Sequence, residues 1–387
     1  MDLESRGIIM IKTVGYVLFA LVYYICRLFP VQKKRVFCIM THDDGACSNV
    51  KLIEKELEKL DKGFRFDRIT KEEVESVRKL SHLISFFFVK PYQLARAGII
   101  LMDNVFLPMA YFRLKKNVKV VQLWHGTGTI KKFGQDVNTG RLKVLEERAN
   151  RNITHLIVNN GNTAKLYAKV FGVGIDRVYP TGLPKTDDIL YRLWDTERSG
   201  VNNDKKNIYE KYKIPADKKL ILYAPTFRDD NLSSDRTLHH VKELADMLPK
   251  EYILGLRLHP FVVRLAAEKN MENVFDFSDE KDLHSLIMAA DVLVTDYSSI
   301  IFEYCITQKP IIFFAYDLEE FSDKGRGFYE DYKSYVPGPV AETARDVINI
   351  IKEEKYPIEI IKKFNAENYP NLDGMATKRI IELILNN

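Results

Sequence analysis

With 387 residues, the chain is long enough for two domains, each with its own core. Hydrophobic residues make up 46% and charged residues 29%, a folded composition that excludes a disordered chain. The net charge of +5 is modest for this length and argues against a dedicated nucleic-acid binder, whose domain would be more basic on one face. The basic clusters Lys33-Lys34-Arg35 and Lys115-Lys116 with Lys119 read as solvated surface. Four cysteines (Cys26, Cys38, Cys47, Cys305) form no CxxC pair, so neither a zinc site nor a disulfide framework is supported, which fits a reducing compartment.

Thr13 to Cys26 (TVGYVLFALVYYIC) carries no charge and is flanked by Lys12 and Arg27. It is shorter than the roughly 20 apolar residues of a spanning helix, and no A-x-A cleavage site follows. With basic residues at 33–35, the segment reads as a membrane-surface helix over residues 1–30. A tilted anchor and a core helix of the first domain are the alternatives.

Short apolar runs then alternate with helical patterns. Residues 35–40, 84–89, 98–102, 118–123 and 155–159 read as strands, and 50–60 and 142–150 as helices. The polar stretch 191–218, with Asn202-Asn203-Asp204 and Ile214-Pro215-Ala216-Asp217, reads as a linker holding the domain boundary. The alternation restarts with strands at 219–224, 252–257, 292–295 and 310–314, and helices at 238–248, 283–290 and 299–307. The last amphipathic stretch, 377–385, is expected to pack back on the first domain. This βα rhythm predicts an α/β protein of two Rossmann-like domains, residues 31–195 and 196–387, facing a central cleft.

Four stations fall at strand ends, where open α/β sheets bind ligands. Trp124-His125-Gly126-Thr127-Gly128-Thr129 follows the strand at 118–123 and delivers His125, with glycines for close backbone approach and Lys131-Lys132 for charge. Pro225-Thr226-Phe227-Arg228 follows 219–224; Arg228 offers a planar fork to phosphate, or else pairs with Asp229 or Asp230. Leu258-His259-Pro260 repeats the strand-end histidine, with the proline stiffening the turn. Asp296-Tyr297-Ser298-Ser299 opens a helix whose N–H groups and dipole favour an anion, and Glu303 lies one turn further, placed for ribose hydroxyls. His42-Asp43-Asp44, the nearest approach to a metal motif, reads as a strand-end turn. There is no GxGxxG, Walker loop or GxSxG elbow, which removes dehydrogenase, P-loop and α/β-hydrolase readings, and no cofactor or metal is implied.

Taken together, WHGT with Lys131-Lys132-Phe133-Gly134, YAPTFR, LHP, VTDYSS with its glutamate, and Arg326-Gly327-Phe328-Tyr329 ahead of Val336-Pro337-Gly338-Pro339 resemble the CDP-glycerol glycerophosphotransferases of teichoic acid synthesis. Two positions depart from the family pattern: Gly128-Thr129 stands where proline and a large aliphatic residue are usual, and Lys185 replaces the arginine of a G-x-P-R signature. The resemblance implies a GT-B fold and transfer of glycerol phosphate from CDP-glycerol to a hydroxyl of a polyprenyl-diphosphate-linked disaccharide, releasing CMP at the cytoplasmic membrane surface. It implies His125 as general base and His259 as stabiliser of the leaving CMP. It gives phosphate and ribose contacts to Arg228, Asp296, Ser298, Ser299 and Glu303, with Thr127, Lys131 and Arg326 completing the binding set. The chain length favours a primase. A polymerase, a CDP-ribitol enzyme, a nucleotide-sugar glycosyltransferase and a catalytically silent scaffold are the other readings.

Overall fold

The computed structural model describes residues 3–60, 62–75, 80–226, 231–258 and 273–386. Among these, two six-stranded parallel sheets organise the chain. The first holds β1 (Gln32–Met40), β2 (Arg65–Thr70), β3 (Ala97–Met102), β4 (Lys119–Gln122), β5 (His155–Ile157) and β6 (Val178–Tyr179), in the order β2-β1-β3-β4-β5-β6. The second holds β7 (Lys219–Ala224), β8 (Tyr252–Leu256), β9 (Val274–Asp276), β10 (Val292–Thr295), β11 (Ile311–Phe314) and β12 (Val340–Ala341), in the order β12-β11-β10-β7-β8-β9. Strand order reverses between β1 and β3 in one sheet and between β7 and β10 in the other. Such switch points leave a crevice at the carboxyl ends of the strands.

Central strands read as continuous apolar runs because both faces are covered: every residue of β3, β8, β10 and β11 is buried. The helix Asn49–Lys59 starts where the Ser48 hydroxyl accepts the Lys51 N–H, and it buries Val50, Ile53 and Leu57 against β1 and β3 side chains. The C-terminal helix Ala376–Asn386 adds Ile380, Ile381 and Ile384 to that same cluster. Its Ile384 carbonyl accepts from Lys119 Nζ at 2.6 Å.

The chain forms two compact units. One comprises Met1–Thr127, Phe133–Lys185 and Met375–Asn387; the other comprises Gly128–Lys132 and Thr186–Gly374. This division differs from a simple cut at 195/196. The stretch expected as a linker is instead two helices, Pro184–Ser199 and Asn203–Tyr212. Their exposed faces are polar enough to mask the inward residues Ile189, Ile208 and Tyr209, which join the core of the second unit.

A second correction concerns residues 84–89, which form no strand. The segment is helical from Leu80 to Arg96, with a π-type turn over Ser85–Val89. None of Ser85–Val89 is buried, as a central parallel strand would require, and Phe86 packs instead on Phe19 of the N-terminal helix at 5.3 Å. A short apolar run has no period to separate strand from helix, and its Phe, Ile and Val residues favour a strand by propensity.

The N-terminal helix, Leu3–Cys26, lies on the first unit through one face: Phe19 and Tyr23 are buried, and Tyr23 stacks on Phe112 at 4.1 Å. Its other face leaves Ile11, Val14, Leu21 and Ile25 exposed. No helix among the described residues is long and apolar enough to cross a membrane.

Candidate active site

In the first unit the site is built at the β1/β3 switch point. Asp103 directly follows β3 and is 1% exposed. Its carboxylate accepts the backbone N–H groups of Thr41 (3.1 Å), His42 (3.2 Å) and Asp43 (2.7 Å), so it pins the loop that follows β1. Burial pushes its pKa up to about 6, against the opposing pull of those three N–H donors. His42 is delivered by that loop.

His125 arrives from β4 through a strained turn. Trp124 has φ +53°, a left-handed conformation that a bulky residue adopts only under constraint. The constraints are explicit. Gln122 Oε1 accepts the Trp124 N–H at 3.0 Å, and the buried Asn49 side chain donates to the Trp124 carbonyl at 3.0 Å. The indole stacks on Phe133 at 5.6 Å and meets Phe171 edge-on at 5.1 Å.

The turn places His125 Nδ1 3.0 Å from the Asp103 carbonyl oxygen. A carbonyl only accepts, so in the neutral ring Nδ1 carries the proton and Nε2 carries the lone pair. The Asp103 carbonyl thus holds the ring from behind and sets its tautomer. Lys185, buried, donates from Nζ to the His125 carbonyl at 3.0 Å, and its own N–H donates to Asn49 Oδ1 at 3.1 Å. Lys185 is thus a brace for the histidine turn. Thr127, also buried, ends the motif within the first unit.

In the second unit the corresponding switch point is β7/β10. Asp296 follows β10, is 1% exposed, and accepts the N–H groups of Thr226, at 2.8 Å, and Tyr297. Asp296 therefore faces the backbone of the loop after β7, a positioning part the sequence did not assign to it. Ser298 Oγ accepts the Ile300 N–H at 3.4 Å; Ser299 stands at the cap position of the helix Ile300–Tyr304 without such a bond. Both serines are half-buried, whereas Glu303 is 4% exposed.

Tyr297 anchors this turn, donating to Asp317 at 2.9 Å and stacking on Phe321 at 4.1 Å. Phe328 packs on the same ring at 5.4 Å and forms a short antiparallel bridge with Lys131. The Lys132 N–H donates to the Gly327 carbonyl at 3.0 Å. The segments carrying Lys131 and the exposed Arg326 are thereby brought beside the Ser298-Ser299 turn. Gly128 starts this segment against the Phe302 ring, and a Cβ there would meet ring carbons at 2.0 Å. That contact leaves room at position 128 for glycine alone with the Phe302 ring where it stands.

Arg228 and His259 lie outside the described residues. Sequence reasoning missed Asp103 and Asn49 and set His42 aside as a turn. The available signal for Asp103 was an acid directly behind a wholly apolar strand.

Comparison with known proteins decides the family. The sequence model of the CDP-Glycerol:Poly(glycerophosphate) glycerophosphotransferase family matches residues 21–386. The chain belongs to that family, a family of transferases. It is 34% identical to the teichoic acid poly(ribitol-phosphate) polymerase of Bacillus spizizenii over 97% of this chain, and spans 60% of that relative's length. It is 33% identical to the teichoic acid glycerol-phosphate primase of Bacillus subtilis, over 76% of this chain and 75% of the primase. In fold it resembles the wall teichoic acid polymerase TagF, with a TM-score of 0.76 at 22% identity over 99% of this chain and 96% of that one. At that identity the likeness is one of fold.

Proposed function

We propose that this glycerophosphotransferase moves glycerol phosphate from CDP-glycerol to a hydroxyl of a membrane-lipid-linked disaccharide, releasing CMP, and acts as a primase. The single observation that carries the reading is the fixed tautomer of His125, whose Nδ1–H is tied to the Asp103 carbonyl. Nε2 of His125 takes the acceptor proton as the hydroxyl attacks phosphorus. Ser298, Ser299, Lys131 and Arg326, with Arg228, hold the phosphates; Glu303 holds the ribose; His259 stabilises charge on the leaving CMP. Positioning and electrostatics supply most of the rate in such transfers. The exposed Ile11, Val14, Leu21 and Ile25 support a membrane-surface role for the N-terminal helix, matched to a lipid-borne acceptor on the cytoplasmic face.

Similarity to a ribitol-phosphate polymerase along 97% of the chain favours a second reading, CDP-ribitol as donor and repeated addition. A donor panel with products weighed by mass spectrometry separates them. One added glycerol phosphate is the expected result. A ribitol-phosphate adduct or a ladder establishes the second reading, and sugar transfer from UDP-hexose with no CMP overturns both.

A further inference from the structure

His42 has no place in the reaction described above, yet it touches the residue at its centre. The His42 and His125 rings stack with centroids 3.6 Å apart and planes 21° from parallel. One residue fixes both partners: Asp103 accepts the His42 N–H through its carboxylate and the His125 Nδ1–H through its carbonyl. The stack is therefore a product of the same framework that sets the His125 tautomer.

The energetics of such a pair depend on its charge. Two neutral imidazoles attract weakly, two imidazoliums repel, and one of each attracts as a cation over a π face. The mixed state is the one that proton transfer creates. The acceptor oxygen forms its bond to phosphorus, and the bond from phosphorus to the CMP oxygen breaks, with its electron pair leaving on CMP. The hydroxyl proton comes to rest on His125 Nε2.

We propose that His42 is a positioning residue whose neutral ring stabilises the imidazolium formed on His125. This rests on the transferase reading given above. An interaction that strengthens as charge develops lowers the barrier rather than merely tightening binding. The surrounding groups suit a neutral His42. His42 stands exposed on its loop with one ring face covered by His125; the water lost on that side lowers its pKa, Lys71 and Lys185 act in the same direction, and Asp43 opposes them. Trp124 adds a further ring 4.0 Å from His125.

The test uses His42→Gln and His42→Phe in the full chain, with folding checked by melting temperature. Histidine labelled with 13C in the ring allows NMR titration of His125 without any substrate. Because the stack favours protonated His125, its loss lowers that pKa. In His42→Gln the His125 midpoint falls by about half a pH unit or more, and kcat falls about fivefold. KM for the donor stays unchanged and the acid limb of the rate profile moves to lower pH. His42→Phe, which keeps a π face and cannot titrate, restores both. Equal losses in the two variants, or an unmoved His125 midpoint in His42→Gln, overturn the proposal. A parent chain that releases no CMP from CDP-glycerol defeats the transferase reading instead, while the NMR titration still decides the stack.

Discussion

The two sheets use the same device for different ends. At each switch point a buried aspartate follows a strand and accepts N–H bonds from the loop after the neighbouring strand: Asp103 from residues 41–43, Asp296 from Thr226. In the first unit the pinned loops present two stacked imidazoles behind a strained tryptophan. In the second they present a serine turn held by an aromatic cluster around Tyr297. The scaffold sets where chemistry happens; the side chains beyond the aspartate set which chemistry.

Replacing each aspartate tests whether the parallel is real. Asp103→Ala and Asp296→Ala each leave loop N–H groups without their acceptor, and each should cost about 2–4 kcal/mol of stability in denaturant unfolding. Their kinetic effects should diverge. Asp103→Ala lowers kcat about a hundredfold through the displaced histidines, whereas Asp296→Ala chiefly raises KM for the donor. The same kinetic signature in both variants would break the comparison.

Gly128 sharpens it from the second unit. Gly128→Ala forces a Cβ into the Phe302 ring and should cost about 1–3 kcal/mol. Adding Phe302→Leu should recover part of that loss in melting experiments, because the ring is the obstacle. A tolerated Gly128→Ala with an unchanged melting temperature would mean that the contact sets nothing.

The smallest effect concerns pH. His155, buried on β5 and stacked on Tyr179 at 5.0 Å, has its pKa lowered to about 4 by burial. Its folded pKa lies below its unfolded one, so the unfolded chain binds the extra proton between about pH 6.5 and 4. Stability from this group is complete above pH 6.5 and declines as pH falls. At pH 5.5 the loss is about 1 kcal/mol relative to pH 7.5. His155→Phe should flatten that slope in urea titrations across the window; an unaltered slope would assign the acid sensitivity elsewhere.

Much of the fold was legible because buried parallel strands are written as apolar runs: 219–224 and 292–295 were read with the bounds the structure has. The edge strand β2 was not, since RFDRIT is half-exposed and mostly polar. The helices at 184–199 and 203–212 were hidden for the related reason that their outer faces dominate the sequence. His125 stood out because a histidine and glycines close a strand together. Asp103 did not, since an acid that serves loop N–H groups 60–62 residues away in sequence carries no local pattern. His42 read as turn chemistry because its partner lies 83 positions further along the chain, and only the fold brings the two rings together.

Acceptor-dependent CMP release by the parent chain and by His125→Ala decides whether His125 is the base. His125→Ala should lose about a hundred- to ten-thousandfold in kcat, with donor binding and melting temperature retained. Activity within about twofold of the parent, in a folded variant, would contradict His125 as the base and with it the assignment of the β1/β3 crevice as the active site.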